Sequence, residues 1–165
     1  MATSMSAQLV VHADPAATFA LLTDPDYVET VATTTGGTDP DVTCTPTDDG
    51  GATVVSARTL PADLPSYAKA LVGDHIRITE TRTFGPAAAD GSRDGTVSVD
   101  FAGAPMSAEG TLRIEPGPDG TTVTTVAMSL KASVPLVGGK IEKFAAEEIE
   151  KYLGKEQVVA HDRLG

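Results

Sequence analysis

The sequence contains no tryptophan, and phenylalanine and tyrosine together make up only 4% of its 165 residues. A core with so few large rings must be filled mainly by Val, Leu, Ile and Ala, which fill space less completely. Cysteine is almost absent too: Cys44 alone excludes a disulfide within the chain and favours a reducing compartment. Cys44 lies in the strand-like run VTCT, which favours a buried, unreactive thiol over a nucleophile.

Basic residues are scarce relative to acidic ones. The chain has 12 Lys and Arg residues against 23 Asp and Glu residues, which gives a formal net charge of −11. An acidic surface repels phosphate groups, so we predict no nucleic-acid partner and no docking on anionic membranes. The simplest role of this charge is to keep the protein in solution.

Long apolar segments are missing as well. No run approaches the roughly 20 residues of a membrane-spanning helix, so we predict no stable membrane insertion. The opening residues MATSMS lack the basic and apolar stretches of a secretory signal, and we therefore expect a cytoplasmic protein. A chain of 165 residues has the size of one domain, and we predict a single domain over residues 1–165.

The sequence has none of the common motifs for metal, nucleotide or nucleophile chemistry. Its histidines, His12, His75 and His161, fall in different predicted elements and show no metal-ligand spacing. There is no nucleophile elbow, phosphate-binding loop or dinucleotide fingerprint. We therefore predict no metal and no cofactor, and nothing in the sequence requires an enzyme.

What the sequence does contain is an ordered series of short elements. A strand over residues 6–12 precedes two helices over 15–22 and 25–32, each opened by Asp-Pro, a capping residue followed by proline in the first turn. A Thr- and Gly-rich loop follows over 33–41. Turn-forming residues then separate strands predicted over 42–46, 52–60, 75–84, 96–101, 107–115 and 121–134, with a short helix over 65–72.

From residue 136 to about 164 the pattern becomes helical. One face of this segment carries, at 3.6-residue spacing, Ile141, Phe144, Ala145, Ile149, Tyr152 and Val159. Hairpin-linked strands form one antiparallel sheet, and its apolar face needs a cover that only this helix can provide. We therefore predict an α+β fold in which a curved antiparallel sheet of six to seven strands wraps around a long C-terminal helix.

Three stretches carry a family resemblance: LPADLP at 60–65 leading into LVG at 71–73, GAPMSAEGTL at 103–112, and VPLVGGKIEK at 134–143. Over nearly its whole length the chain resembles the START superfamily, also called SRPBCC or birch-pollen-allergen-like. It is most similar to an uncharacterised bacterial family, domain of unknown function 2505. The third stretch is the most specific, because Pro135 ends a strand and Gly138 and Gly139 permit a tight turn.

The resemblance implies a helix-grip fold with a cavity between the sheet and the C-terminal helix. In the superfamily such cavities hold sterols, lipids, polyketides or plant hormones, and some members are cyclases or interaction modules. The family contributes no catalytic motif that can be placed on numbered positions of this chain. The fold alone therefore does not choose among these functions.

Two predicted elements carry polar groups on faces that should point inward. On the last helix, Glu148 is either a polar ligand contact or a solvated residue at the cavity mouth. On strand 75–84, Glu80 and Arg82 share the face of two isoleucines. Arg82 could bind a carboxylate at two points, it could form a structural pair with Glu80, or it could lie at the rim where the sheet curls away. With apolar inward residues added, the expected ligand contacts are Glu80, Arg82, Phe101, Met128, Phe144, Glu148 and Tyr152.

The leading hypothesis is a protein that binds an apolar small molecule, such as a lipid or a polyketide-like compound. One alternative is a cyclase or dehydratase that uses Glu148 or Glu80 as acid or base, assisted by Tyr152. Another is a protein-interaction module, which should expose a contiguous apolar patch. The oligomeric state stays open.

Overall fold

The computed structural model describes residues 2–61 and 64–164. The first part of the chain contains β1 (Thr3–Val11), α1 (Pro15–Leu22), α2 (Pro25–Thr34), β2 (Thr38–Pro46), β3 (Ala52–Pro61) and α3 (Ser66–Val72). The second part contains β4 (His75–Phe84), β5 (Arg93–Phe101), β6 (Met106–Pro116), β7 (Thr122–Ala132) and α4 (Gly138–Leu164). Within these described residues, no helix combines the length and apolar character needed to cross a membrane.

The seven strands form one antiparallel sheet in the order β1-β7-β6-β5-β4-β3-β2, with β1 and β2 at its edges. Strands that follow one another from β2 to β7 are neighbours, as expected for a meander of hairpins. The two short helices lie between β1 and β2 in the chain, and the long helix comes last. The predicted α+β architecture is confirmed.

The helix starts agree with the capping signals. The Asp14 carboxylate accepts a hydrogen bond from the Ala17 backbone N–H at 2.7 Å, and the Asp24 carboxylate accepts one from Asp26 at 3.0 Å. Both carboxylates satisfy N–H groups that the first helical turn leaves without partners. The short helix predicted over 65–72 corresponds to α3, and residues 62 and 63 just before it lie outside the described residues.

Several boundaries differ from the sequence-based expectation by two to four residues, and two of these differences have a clear backbone cause. The predicted loop 33–41 ends early, because β2 begins at Thr38, which pairs with Thr59 ahead of an irregularity where Asp39 has a φ of +49°. Pairing with β3 therefore outweighs the low strand propensity of this segment. The long helix begins at Gly138 rather than 136, because Leu136 adopts a left-handed φ of +71°.

Polar contacts fasten α4 to the sheet near both of its ends. Near the C-terminal end, the Gln157 amide donates to the Val10 carbonyl and accepts from the Val10 N–H, each at 2.7 Å. Near the N-terminal end, the Glu142 carboxylate accepts from the Ala132 N–H and from the Thr3 hydroxyl, each at 2.9 Å. The helix is thus held against β1 and β7, and its middle turns face the interior.

One half of that interior is filled by side chains. Where α1 and α2 pack on the sheet, Leu22, Tyr27, Phe84 and Ile114 are almost completely buried. The rings of Phe19 and Phe84 meet edge to face with centroids 5.6 Å apart. Most of the few aromatic rings outside the C-terminal helix are therefore used to pack this end of the molecule.

Candidate functional site

The other half of the interior is hollow. A cavity of about 520 Å³ lies between α4 and the facing strands. The sheet contributes Leu60, Ile76, Ile78, Val99, Phe101 and Met128 to its wall, and α4 contributes Ile141, Phe144, Ala145, Ile149 and Tyr152. Small-molecule sites commonly have volumes of about 300 to 1,000 Å³ and mainly apolar walls with a few polar groups. This cavity fits that description in both size and lining.

The strand register determines where the cavity ends. On β4, the inward residues Ile78 and Glu80 line the cavity, whereas Arg82, two positions further on, does not. Glu80 pairs across the sheet with Val99, which also lines the cavity, and Arg82 pairs with Val97, which does not. The boundary between the hollow and filled halves therefore falls between these two rows of paired residues.

A buried ion-pair cluster closes the cavity at this boundary. Arg82 donates from its two terminal nitrogens to the two carboxylate oxygens of Glu156, at 3.2 and 3.0 Å, and from Nη2 to Glu80 at 3.4 Å. Burial alone would lower the pKa of Arg82, but the carboxylates of Glu156 and Glu80 raise it well above its ordinary value. The cation therefore stays charged, and its two terminal nitrogens bind its two carboxylate partners.

Tyr27 of α2 joins this cluster. Its hydroxyl donates to Oε2 of Glu156 at 3.3 Å. Burial, reinforced by the negative charge of Glu156, raises the pKa of Tyr27, so the phenol keeps its proton. The cluster of Tyr27, Glu80, Arg82 and Glu156, named here the polar floor, connects α2, β4 and α4 at the base of the cavity.

Arg58 of β3 is a second buried arginine, and it lies in the cavity wall itself. The residue is 5% exposed, yet its Nε and Nη1 atoms have no hydrogen-bond partner among the described residues. Its guanidinium carbon lies 4.4 Å from the centroid of the Tyr152 ring, a cation–π contact. Burial is also the largest cause that raises the pKa of Tyr152, followed by the charge of Glu80, so this phenol stays protonated.

Charged residues of α4 lie at the opening of the cavity. Lys151 donates to Oε1 of Glu148 at 3.2 Å, and both side chains are largely exposed. Lys155, one helical turn further on, is also exposed and lines the cavity. Of the two alternatives for Glu148, the structure shows a solvated carboxylate at the mouth.

The structure brings six of the seven expected contacts together around one space. Glu80, Phe101, Met128, Phe144, Glu148 and Tyr152 all line the cavity. Arg82 is the correction: its guanidinium lies in the polar floor, where the pair with Glu80 is real but weaker than the bidentate pair with Glu156. The expectation that Arg82 meets a ligand head group is therefore not carried forward.

Sequence reasoning missed two important residues, although the pattern held a signal for each. Arg58 occupies the inward alternation of β3 together with Val54 and Ser56, and all three are buried. Glu156 follows Tyr152 by four residues and precedes Val159 by three, so it belongs to the same helix face. Neither residue is apolar, so the apolar periodicity that predicts these elements does not select it.

The described part of the chain holds no cluster of three or more histidine, cysteine or acidic side chains placed to bind a metal ion. Cys44 is a free thiol on β2, and partial burial raises its pKa. The side chains around the cavity that could bind a polar group or take part in a reaction are the arginine, tyrosine and glutamate side chains described above.

Comparison with solved structures identifies the fold. Ara h 8.0201 superposes with a TM-score of 0.56 at 14% identity, covering 97% of this chain and 98% of the other. An aromatase/cyclase, Zhui, from Streptomyces sp. R1128 has a TM-score of 0.56 at 11% identity, covering 96% and 88%. A START superfamily protein from Mycobacterium smegmatis has a TM-score of 0.52 at 15% identity, covering 93% and 92%. At these identities the likeness concerns the fold alone.

Sequence comparison is more specific about the family. No curated protein is significantly similar to this chain. The profile of a family described as "Protein of unknown function (DUF2505)" matches residues 6–164, which is nearly the whole chain. The chain therefore belongs to the DUF2505 family and has the helix-grip fold of START-type proteins.

Proposed function

We propose that this protein binds an apolar small molecule, of lipid or polyketide-like character, inside the cavity between α4 and the sheet. The observation that carries the proposal is the cavity of about 520 Å³ with aliphatic and aromatic walls. A void of this size inside a domain is costly, because its lining atoms lose contacts that close packing would provide. A ligand that fills it removes that cost and buries its own apolar surface at roughly 25 cal/mol per Å².

The proposal is tested with N-phenyl-1-naphthylamine, a neutral fluorescent probe whose emission rises in apolar surroundings. We expect saturable binding with one site per chain. Ala145 lies in the helix wall of the cavity, so Ala145→Phe places a ring in the space that the probe would occupy. This variant should lose most of the binding.

A matched variant controls for the added ring. Ala20 is exposed on α1 and does not line the cavity, so Ala20→Phe should bind the probe like the wild type. Circular dichroism and thermal unfolding establish that both variants fold. Binding that is absent from the wild type, or that survives unchanged in folded Ala145→Phe, would overturn the proposal.

An enzymatic role of the cyclase or dehydratase kind is a second candidate, favoured by one observation. The Glu80 carboxylate is buried and lines the cavity, whereas Glu148 is solvated at its mouth. Glu80 is therefore the carboxylate that acid–base chemistry would use, with the protonated Tyr152 beside it. Turnover of a candidate substrate that survives in Glu80→Gln would exclude this assignment.

The surface of the described residues gives little support to the third alternative, a protein-interaction module. Its exposed large apolar side chains are Leu136, before the start of α4, and Val158, near the end of that helix. The intervening helix separates them by about 30 Å at 1.5 Å per residue. Two isolated side chains do not make the contiguous apolar patch that a docking surface requires.

A further inference from the structure

The two buried arginines of the sheet meet very different surroundings. Arg82 has two carboxylate partners in the polar floor. Arg58 has no carboxylate within ion-pair distance among the described residues, and two of its nitrogens have no acceptor at all. The Nε atom of Arg82 also has no acceptor, but the charge of that residue is compensated and the charge of Arg58 is not.

A buried guanidinium without acceptors is an unfavourable arrangement in a finished interior. Buried charges are almost always paired, because desolvation of an ion costs several kcal/mol that only a counter-charge or hydrogen bonds recover. The ring of Tyr152 offsets part of this cost through the cation–π contact, but it supplies no hydrogen-bond acceptor. The unpaired N–H groups of Arg58 therefore indicate an acceptor that comes from outside the chain.

The position of Arg58 agrees with that interpretation. Arg58 and Tyr152 both line the cavity, and the guanidinium lies against the Tyr152 ring. A protonated phenol and a guanidinium together form a set of donors suited to an oxyanion. The nearby wall also includes the apolar side chains of Ile76, Ile78 and Ile149, and the carboxylate of Glu80, which is engaged by Arg82.

The charge balance of the cavity points the same way. The charged residues that line it are Arg58, Lys151, Lys155, Glu80 and Glu148, which sum to a formal charge of +1. The whole chain has a formal charge of −11. The cavity is thus a locally cationic region of an acidic protein, which favours an anionic guest over a cationic one.

We propose that the ligand of this cavity is an amphiphile with one acidic oxygen group, such as a carboxylate, which Arg58 binds with help from the Tyr152 hydroxyl while the apolar body fills the cavity. This inference rests on the proposed function, because it concerns the same site and specifies the class of its ligand. Neither lipid nor polyketide origin is implied, since both kinds of molecule can carry such a group.

A matched pair of probes separates the two proposals. 8-Anilino-1-naphthalenesulfonate has the same ring body as N-phenyl-1-naphthylamine and adds one sulfonate. We expect the anionic probe to bind the wild type more tightly than the neutral probe. In Arg58→Gln its affinity should fall about tenfold to a hundredfold, the range of a charge-assisted hydrogen bond, while the neutral probe binds unchanged.

Arg113→Gln is the matched control, because Arg113 lies on β6 in surface ion pairs with Asp94 and Glu115 and does not line the cavity. This substitution changes the net charge by the same amount as Arg58→Gln but outside the cavity. Both affinities should therefore stay as they are. Dodecanoate and dodecan-1-ol, competing against the probes, extend the comparison to a carboxylate and a neutral head group. The acid should compete better than the alcohol, and only in chains that retain Arg58.

The outcomes distinguish the two proposals. If the neutral probe binds but Arg58→Gln weakens neither probe, or weakens both equally, the acidic-group proposal is wrong and the apolar cavity site stands. If neither probe binds the wild type, the proposed function is wrong and the inference is lost with it. If Ala145→Phe leaves binding of the anionic probe intact, that probe binds outside the cavity and the role of Arg58 is refuted.

Discussion

Arg58 and Arg82 lie on adjacent strands, and both are more than nine-tenths buried. The alternation of β3 and β4 places both side chains inward, which the sequence can predict. It cannot predict their partners, because the carboxylate that engages Arg82 belongs to Glu156, 74 residues away. The sequence-based hypothesis proposed Arg82 as an arginine that could bind the carboxylate of a ligand. In the structure Arg82 binds the carboxylate of Glu156, and the buried arginine without a carboxylate partner is Arg58.

The same substitution should lower stability at Arg82 but not at Arg58. Arg82→Met leaves Glu156 and Glu80 buried without their counter-charge, so the free energy of unfolding should fall by about 3 to 5 kcal/mol. Arg58→Met removes unpaired buried N–H groups, and the free energy of unfolding should stay the same or rise by up to about 2 kcal/mol. Urea unfolding of the two ligand-free variants measures both values, and equal losses would contradict this account of Arg58.

At the scale of elements, α4 is fixed at its ends and spans the cavity in between. The sequence predicted this helix and its apolar face, because the 3.6-residue spacing is regular over many turns. It did not settle which acidic residues of the helix are buried. Glu148 is solvated, while Glu142 and Glu156 are buried, since backbone and arginine donors from distant strands compensate them. Such long-range compensation leaves no local trace in the sequence.

Glu142 makes the attachment of α4 sensitive to pH. The hydrogen bond from the Ala132 N–H holds the pKa of Glu142 below its ordinary value of 4.5. A lowered pKa in the folded state means that the stabilisation is fully present above the ordinary value and is lost as the pH falls through the lowered pKa. Glu142→Gln should therefore reduce the free energy of unfolding near neutral pH, with a difference that shrinks on acidification.

The measurement is urea unfolding of wild type and Glu142→Gln at neutral pH and well below pH 4.5. Glu109→Gln serves as control, because Glu109 is exposed on β6, where it lies opposite Ser129 of β7 and away from the attachment of α4. A deficit of Glu142→Gln that stays constant over this pH range would show that the ionised carboxylate is not what fastens the helix.

For the whole molecule, the division of the interior into a filled and a hollow half is the feature that matters for function. Few aromatic rings are present, and Tyr27, Phe19 and Phe84 serve the filled half. The polar floor separates the halves, and the cavity extends from it toward the mouth at Lys151 and Lys155. The resemblance to START-type proteins predicted a cavity, but its volume and its unpaired arginine come from side-chain packing that no sequence pattern specifies.

The isoleucines of this chain provide the most direct test of the central claim, that a small molecule binds inside the hollow half. Four of the five, Ile76, Ile78, Ile141 and Ile149, line the cavity, and the fifth, Ile114, is buried in the filled half. With isoleucine methyl groups isotopically labelled, N-phenyl-1-naphthylamine should shift the four cavity signals along one saturable curve and leave Ile114 nearly unmoved. Cavity signals that do not respond to the probe, or that move no more than Ile114, would contradict the account.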